Sequence, residues 1–313
     1  MTTFKTAVIG VGVQGERHAQ KLAALDESNL IAIVDADTER AKGVAADLGA
    51  EFVADYRDLI GEVDAVAIAT PTTSHFEITS AMLENDIDVL LEKPFTTTMD
   101  EAVKLVELAE GRSRVLQVGH QERFNPAILA LADRIEKPLF IESNRIAPYK
   151  PRSLDVSVVL DLMIHDIDLI HSFVRSPMAG VDAVGRTIFS NSIDVANARI
   201  RFENGCVANV TSSRISMKTE RSLRIFQEDA YASADLHNKT IAAYSKLVDG
   251  PVTGPEDVKI DNQAFGDSDA MLEQTRAFLA SIAGGPSPLV SGRTAMEALR
   301  TAEEIGILVA AEN

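Results

Sequence analysis

Cysteine is nearly absent from this 313-residue sequence: Cys206 stands alone. One thiol excludes an internal disulfide framework and any metal site built from several cysteines. Long apolar runs are missing too. No stretch reaches the 18 consecutive apolar residues that suggest a membrane-spanning helix, so none is expected. The opening "MTTFKTAVIG" has no basic n-region, separate apolar segment or cleavage site, so a cytoplasmic protein is expected. Positive charge is also scarce. Thirty Lys and Arg face 47 Asp and Glu, a formal net charge of -17. Phosphate backbones and anionic membranes demand basic surface, so neither nucleic acid nor a membrane is an expected partner. Net charge does not describe a local site, and a small anion can still bind where a few basic residues converge. No internal repeat or low-complexity tract interrupts the chain.

At 46% hydrophobic residues the chain can bury substantial cores, and its length suggests two domains. Strand-like runs at 5–10, 30–36, 51–54, 65–70, 88–93 and 115–120 alternate with helical patterns near 14–26, 37–48, 75–85 and 99–110. Such alternation predicts βαβ units and a doubly wound parallel sheet covered on both faces. Beyond residue 121 the texture changes. Asn204-Gly205, between alternating runs, signals a hairpin, and further strand-like runs fall at 141–147, 181–189, 221–226 and 240–247. Residues 249–258 read as a loop or hairpin excursion. Two helical patterns, near 267–283 and 293–311, close the chain around "GGPSP". The expected fold is α/β, with domain boundaries 1–121 and 122–313; the second domain is α+β with a mostly antiparallel sheet.

The clearest motif is Gly10-x-Gly12-x-x-Gly15, directly after the first strand and at the opening of a helix. Gly10 permits the tight turn, Gly12 lets a pyrophosphate approach the backbone and Gly15 allows close helix–strand packing; Val13 and Gln14 open the helix whose amides face the phosphates. Asp35 lies 20 residues after Gly15, where a carboxylate can accept from both ribose hydroxyls of an adenosine. A carboxylate there repels a 2′-phosphate, and Ala36 and Asp37 offer no arginine to pair with one, so NAD is expected rather than NADP. Thr70, Pro71, Thr72 and His75 follow the fourth strand, where loops form the ligand crevice; equally, Thr and Ser before a helix are ordinary N-cap residues. In "LLEKPF", Glu92 and Lys93 must point to opposite faces. Lys93 at a strand's carboxyl end suits a substrate oxygen or a proton relay, or is simply a surface lysine.

The stretch "DVSVVLDLMIHDIDLIH" (155–171) is apolar almost all round a helix, yet at about 100° per residue Asp161, His165 and Asp168 share one stripe, with Asp166 opposite. An Asp one turn before a His can orient the imidazole and raise its basicity. Three readings stand: acid–base catalysis, a satisfied polar network, or a metal site, for which no further ligand cluster is evident and no metal is expected.

The order G-x-G-x-x-G, Asp35, "TPTTSH", "EKP" and D-x-x-x-H-x-x-D, with the tail "PLVSGRTAMEAL", resembles the Gfo/Idh/MocA family of NAD(P)-dependent sugar and polyol oxidoreductases. The resemblance implies an NAD-binding Rossmann domain over 1–121 and a substrate-binding and oligomerisation domain over 122–313. Its open sheet would support a homodimer or homotetramer. It further implies that Lys93 is the catalytic lysine, Asp161 a substrate-contacting aspartate and His165 the catalytic histidine, and that the peptide before Pro94 is cis. The absence of a glycine-rich run before the Asp/His helix departs from inositol dehydrogenases and is closer to UDP-N-acetylglucosamine 3-dehydrogenases. The implied substrate is a sugar or nucleotide sugar; an inositol or polyol dehydrogenase, a glycosidase-like member that uses NAD transiently and a catalytically silent NAD-binding regulatory protein are the alternatives. Arg123, Asn125, Arg145, Tyr149, Lys150 and Arg152, with Arg214, Lys218, Arg221 and Arg224, offer groups that could hold a diphosphate, or are dispersed surface charges paired with acidic residues.

Overall fold

The computed structural model describes residues 2–150 and 156–311. In chain order the elements are β1 (Phe4–Ile9), α1 (Val13–Ala23), β2 (Ser28–Val34), α2 (Thr38–Leu48), β3 (Glu51–Val53), β4 (Ala65–Ile68), α3 (His75–Glu84), β5 (Asp88–Leu91), α4 (Met99–Gly111) and β6 (Leu116–Val118). There follow α5 (Pro126–Ala132), β7 (Phe140–Ile146), a π-helical turn (Val159–Met163), α6 (Ile164–Val174), β8 (Met178–Arg186) and β9 (Val195–Phe202). The chain continues through β10 (Val207–Ser213), β11 (Glu220–Phe226), β12 (Ala230–Asp235), β13 (Thr240–Lys246), β14 (Val258–Ala264), α7 (Ala270–Ile282) and α8 (Gly292–Ala311). Two units result, Met1–Gln121 with Asp269–Met296, and Glu122–Ser268 with Glu297–Asn313.

The first unit holds a six-stranded sheet of order β3-β2-β1-β4-β5-β6 with every pairing parallel. Strands β4 and β5 are buried at every position, as expected where helices cover both faces. Val8, Ile33, Ala67 and Leu90 pack with Leu22 of α1 and with Phe278 and Leu279 of α7. Polar residues set the helix starts: Asp37 accepts from the Arg40 N–H at the head of α2, and Thr98 from the Glu101 N–H at the head of α4. The strand order reverses at the β1/β4 boundary, and ligands of such sheets bind outside the carboxyl ends of the strands at that switch.

The second unit is built on an eight-stranded sheet, β14-β13-β12-β11-β7-β10-β9-β8, antiparallel except for the parallel pair β7/β10. The expected hairpin joins β9 to β10 with Gly205 at φ 87°. One sheet face is core: Ile141, Ala198, Ile200, Val210 and Leu223 meet Ile167 and Ile170 of α6 and Ala302 and Ile305 of α8. Two strands lay outside the sequence reading. Apart from Tyr231, strand β12 ("AYASAD") consists of small residues and an Asp with little β-propensity, and its pairing with β11 and β13 decides its conformation. Strand β14 begins where the 249–258 excursion ends.

Candidate active site

The glycine turn after β1 is shaped by contacts that only a missing Cβ permits. Gly10 has φ 86°, and a Cβ on it would stand 2.8 Å from the Ala69 and Thr70 backbone; one on Gly15 would stand 1.7 Å from the Gly10 carbonyl oxygen. A Cβ on Gly12 would meet nothing within 4 Å. The first and third glycines therefore close the packing, and the second leaves open space at the start of α1, which no side chain caps. Exposed first-turn amides in front of open space are what an anionic pyrophosphate requires.

That space opens into a cleft of about 650 Å³ lined by Gly10, Gly12, Asp35, Arg40, Thr70 and Pro71 among others. Asp35 follows β2 directly. Its Oδ2 accepts from the Val11 N–H (2.6 Å) and its Oδ1 from the Asp37 N–H (2.8 Å), so the backbone aims the carboxylate. Arg40, absent from the sequence reading, reaches the same wall from the first turn of α2. It donates to Asp37 (2.7 Å) and lies 3.9 Å from Asp35. The three-residue spacing from the Asp37 cap was the available signal. Val13 is exposed beside the turn, and Gln14 accepts from Arg17.

Thr70 and Pro71 line the cleft, joined by Ser74. Thr72 begins a short 3-10 turn. His75 is buried beneath: its Nδ1 lies 2.9 Å from the Pro94 carbonyl oxygen and its Nε2 3.0 Å from that of Thr70. It clasps the loop after β4 to the loop after β5. Burial lowers its pKa against the pull of those carbonyls.

Glu92 and Lys93 follow β5, and the Lys93–Pro94 peptide is cis. Glu92 is buried, with Oε1 2.7 Å from His18 Nε2 and also accepting from Gln121 (3.3 Å); Oε2 accepts from the Lys93 N–H (3.2 Å). Burial alone would raise this carboxyl, but the His18 hydrogen bond and the neighbouring charges bring it below its ordinary range. Lys93 is only partly buried. His18 had no motif to mark it; it stands one turn after Gly15 on α1, on the side that faces the sheet.

In the second unit Asp161 lies within the π-helical turn and His165 in the first turn of α6, both partly exposed. Asp166 is buried in a bidentate pair with Arg145 (2.7 and 3.1 Å), whose Nη1 also donates to Glu122 (3.0 Å). Burial would weaken the Arg145 charge, but the two carboxylates hold it firmly cationic. Asp168, also buried, lies 3.4 Å from Arg123. Asn125 caps α5 and donates to the Leu236 carbonyl (3.0 Å). The remaining arginines are committed as well: Arg214 to Asp194 (2.9 Å), Arg221 to Glu122 (3.0 Å) and Arg224 to Glu142, while Lys218 pairs with Glu220 (2.7 Å). Tyr149 and Lys150 remain exposed at the end of the β7 loop. Arg152 and the start of the 155–171 stretch lie outside the described residues. Among the described residues, no cluster of three or more His, Cys, Asp or Glu could hold a metal ion.

A glycine turn opening a helix, an aimed carboxylate and a cleft at the sheet's switch point define a dinucleotide-binding domain, here joined to a largely antiparallel α+β unit. The family model for the oxidoreductase family with an NAD-binding Rossmann fold matches residues 4–120, and that for the GFO/IDH/MocA C-terminal domain matches 141–233. The UDP-N-acetylglucosamine 3-dehydrogenase of Acidithiobacillus ferrooxidans is 38% identical over 312 residues, 99% of each chain. A solved structure of that enzyme aligns with a TM-score of 0.92 at 36% identity over 99% of each chain. The myo-inositol 2-dehydrogenase of Thermotoga maritima is 26% identical over 95% of this chain and 93% of its own. The chain belongs to the Gfo/Idh/MocA family: it is an oxidoreductase with an NAD-binding Rossmann domain.

Proposed function

We propose that this chain oxidises the 3-hydroxyl of UDP-N-acetylglucosamine with NAD as acceptor. The observation that carries the reading is its relative of that activity, similar over 99% of both chains. The residues of the cleft fit the cofactor. The α1 amides and the space over Gly12 suit its pyrophosphate, Asp35 suits the adenosine ribose, and Thr70 and Pro71 suit the strand-end wall. When bound, the nicotinamide supplies hydride acceptance, and the protein supplies position, proton acceptance and field. His165 takes the hydroxyl proton. Lys93 donates a hydrogen bond to the developing alkoxide, which is stabilisation where charge develops. Asp161 orients His165 or a neighbouring hydroxyl. NAD is favoured over NADP because the aimed Asp35 carboxylate would face a 2′-phosphate.

Lys93→Met and His165→Ala test the assignment: each is expected to retain NAD binding by calorimetry while turnover falls by orders of magnitude. Near-wild-type turnover in both would sink it. A screen of NADH formation across inositols, free sugars and UDP-sugars tests the substrate. The myo-inositol relative supports a second reading as a polyol dehydrogenase, and strong activity on inositol with none on UDP-N-acetylglucosamine would select it. No NADH from any of them at saturating NAD would favour a silent NAD-binding regulator.

A further inference from the structure

Exposed aromatic rings are rare in this chain. Among the described residues they are Phe189, 66% exposed, and Tyr149, 37% exposed. The two pack together edge to face, with centroids 5.6 Å apart and planes at 89°. Single exposed apolar side chains need no explanation; two from different connections that meet, one of them on a rigidly held loop, do. The Phe189 loop, between β8 and β9, is fastened from beneath by Asp194, which is wholly buried. Asp194 accepts from the N–H groups of Ile188 (2.8 Å), Phe189 (2.6 Å) and Ser190 (3.0 Å), from the Ser190 hydroxyl (2.7 Å) and from Arg214 (2.9 Å). Arg214 in turn donates to the carbonyls of Val156 (2.9 Å) and Ile193 (3.0 Å). A buried ion pair is tolerated when its remaining donors and acceptors are satisfied, and here they are satisfied by the loop itself.

The same fastening reaches the helix that carries the proposed acid–base residues. The Val158 N–H donates to Ile193 (2.9 Å), and the Asp161 N–H to Ser157 (3.0 Å). The ring pair is thus tied through the 190–194 loop to the segment that leads into Asp161 and His165. Lys150, next to Tyr149, is exposed and has no ion pair among the described residues, whereas Arg123, Arg145, Arg214, Lys218, Arg221 and Arg224 are matched by acidic partners.

We propose that Phe189 and Tyr149 form a stacking platform for the pyrimidine ring of a nucleotide-linked substrate, with Lys150 pairing one of its phosphates. The proposal rests on the nucleotide-sugar reading and gives it a subsite. An aromatic side chain offers a flat contact at small entropic cost, and a ring preset by its loop avoids paying for order on binding. The other occupant such a surface could take is a second copy of the chain.

The test is the affinity of UDP for wild type, Phe189→Ala, Phe189→Tyr and Lys150→Ala by calorimetry, beside KM for UDP-N-acetylglucosamine and the mass of each variant in solution. Loss of one stacked base contact corresponds to roughly a five- to 150-fold weakening. Phe189→Ala is expected to raise the UDP Kd and the KM together within that range. Phe189→Tyr, which keeps the ring, should restore both, and Lys150→Ala should weaken UDP more than uridine. If wild type turns over UDP-N-acetylglucosamine and Phe189→Ala binds UDP equally well, the platform is wrong and the function stands. If wild type turns over no nucleotide sugar, the functional reading fails, and UDP binding still judges the platform: no binding overturns it. A change of oligomeric mass in Phe189→Ala with unchanged UDP affinity also overturns it, in favour of a contact between copies.

Discussion

At the end of the cleft proposed for the adenosine, Asp35 and Arg40 stand 3.9 Å apart, and Arg40 is held more closely by Asp37 at 2.7 Å. The glycine spacing alone predicts Asp35, because a carboxylate at the end of the second strand has a fixed offset from the phosphate turn. Arg40 was less legible: its three-residue spacing from Asp37 marks the pair, but only the geometry of the α2 first turn brings it to the cleft wall. We propose that the Asp35 carboxylate sets the cofactor selectivity by repelling a 2′-phosphate. Asp35→Ser keeps one short acceptor for the Val11 N–H and removes the carboxylate charge, while Arg40 stays held by Asp37. Its kcat/KM with NADP should rise about 10- to 100-fold and that with NAD should fall, as steady-state rates with each cofactor will read. An unchanged ratio would remove Asp35 from the selectivity argument.

Among the elements, the helix of Asp161 and His165 departs most from its sequence pattern. The 161/165/168 stripe assumes an α-helix throughout, but Val159–Met163 is a π turn, bonded i to i+5, with one extra residue in the turn. Hydrophobic periodicity is blind to such an insertion because nearly every neighbouring residue is apolar. The insertion shifts Asp161 relative to His165 and Asp168, which both lie on α6; there Asp168 sits beside Arg123, and Asp166 belongs to the Arg145–Glu122 network. Deleting Leu160 should restore a regular turn and rotate the preceding residues by about 100° relative to His165. Turnover is expected to drop by roughly 100-fold or more, with helical circular dichroism and NAD affinity retained. Retained turnover would show that the π turn has no part in aiming Asp161. Elsewhere the parallel half was legible because its strands are largely apolar and alternate with periodic helices. Strand β12 was not, because its residues other than Tyr231 are small or polar and become a strand only through their neighbours on the sheet.

For the whole molecule, a net charge of -17 leaves self-association to faces where charge is locally balanced. The eight-stranded sheet has such a face. Opposite its apolar side, Asn197 donates to Thr211 (2.9 Å), Arg199 to Asn209 (3.1 Å), and Arg224 pairs with Glu142. Among the described residues, no helix is long and apolar enough to cross a membrane. We propose that this face joins copies of the chain into a dimer or tetramer, so that sedimentation should read two or four times the 33.8 kDa chain. Thr211 sits near the middle, in register with Asn144 on β7 and Asn197 on β9. Thr211→Arg adds a long cation there without touching the buried face, and like charges brought together across a symmetric contact repel. The variant should sediment as a single chain with its circular dichroism intact. A wild-type mass of 33.8 kDa at working concentration would refute the assembly, and an unchanged oligomer in Thr211→Arg would move the contact to another face.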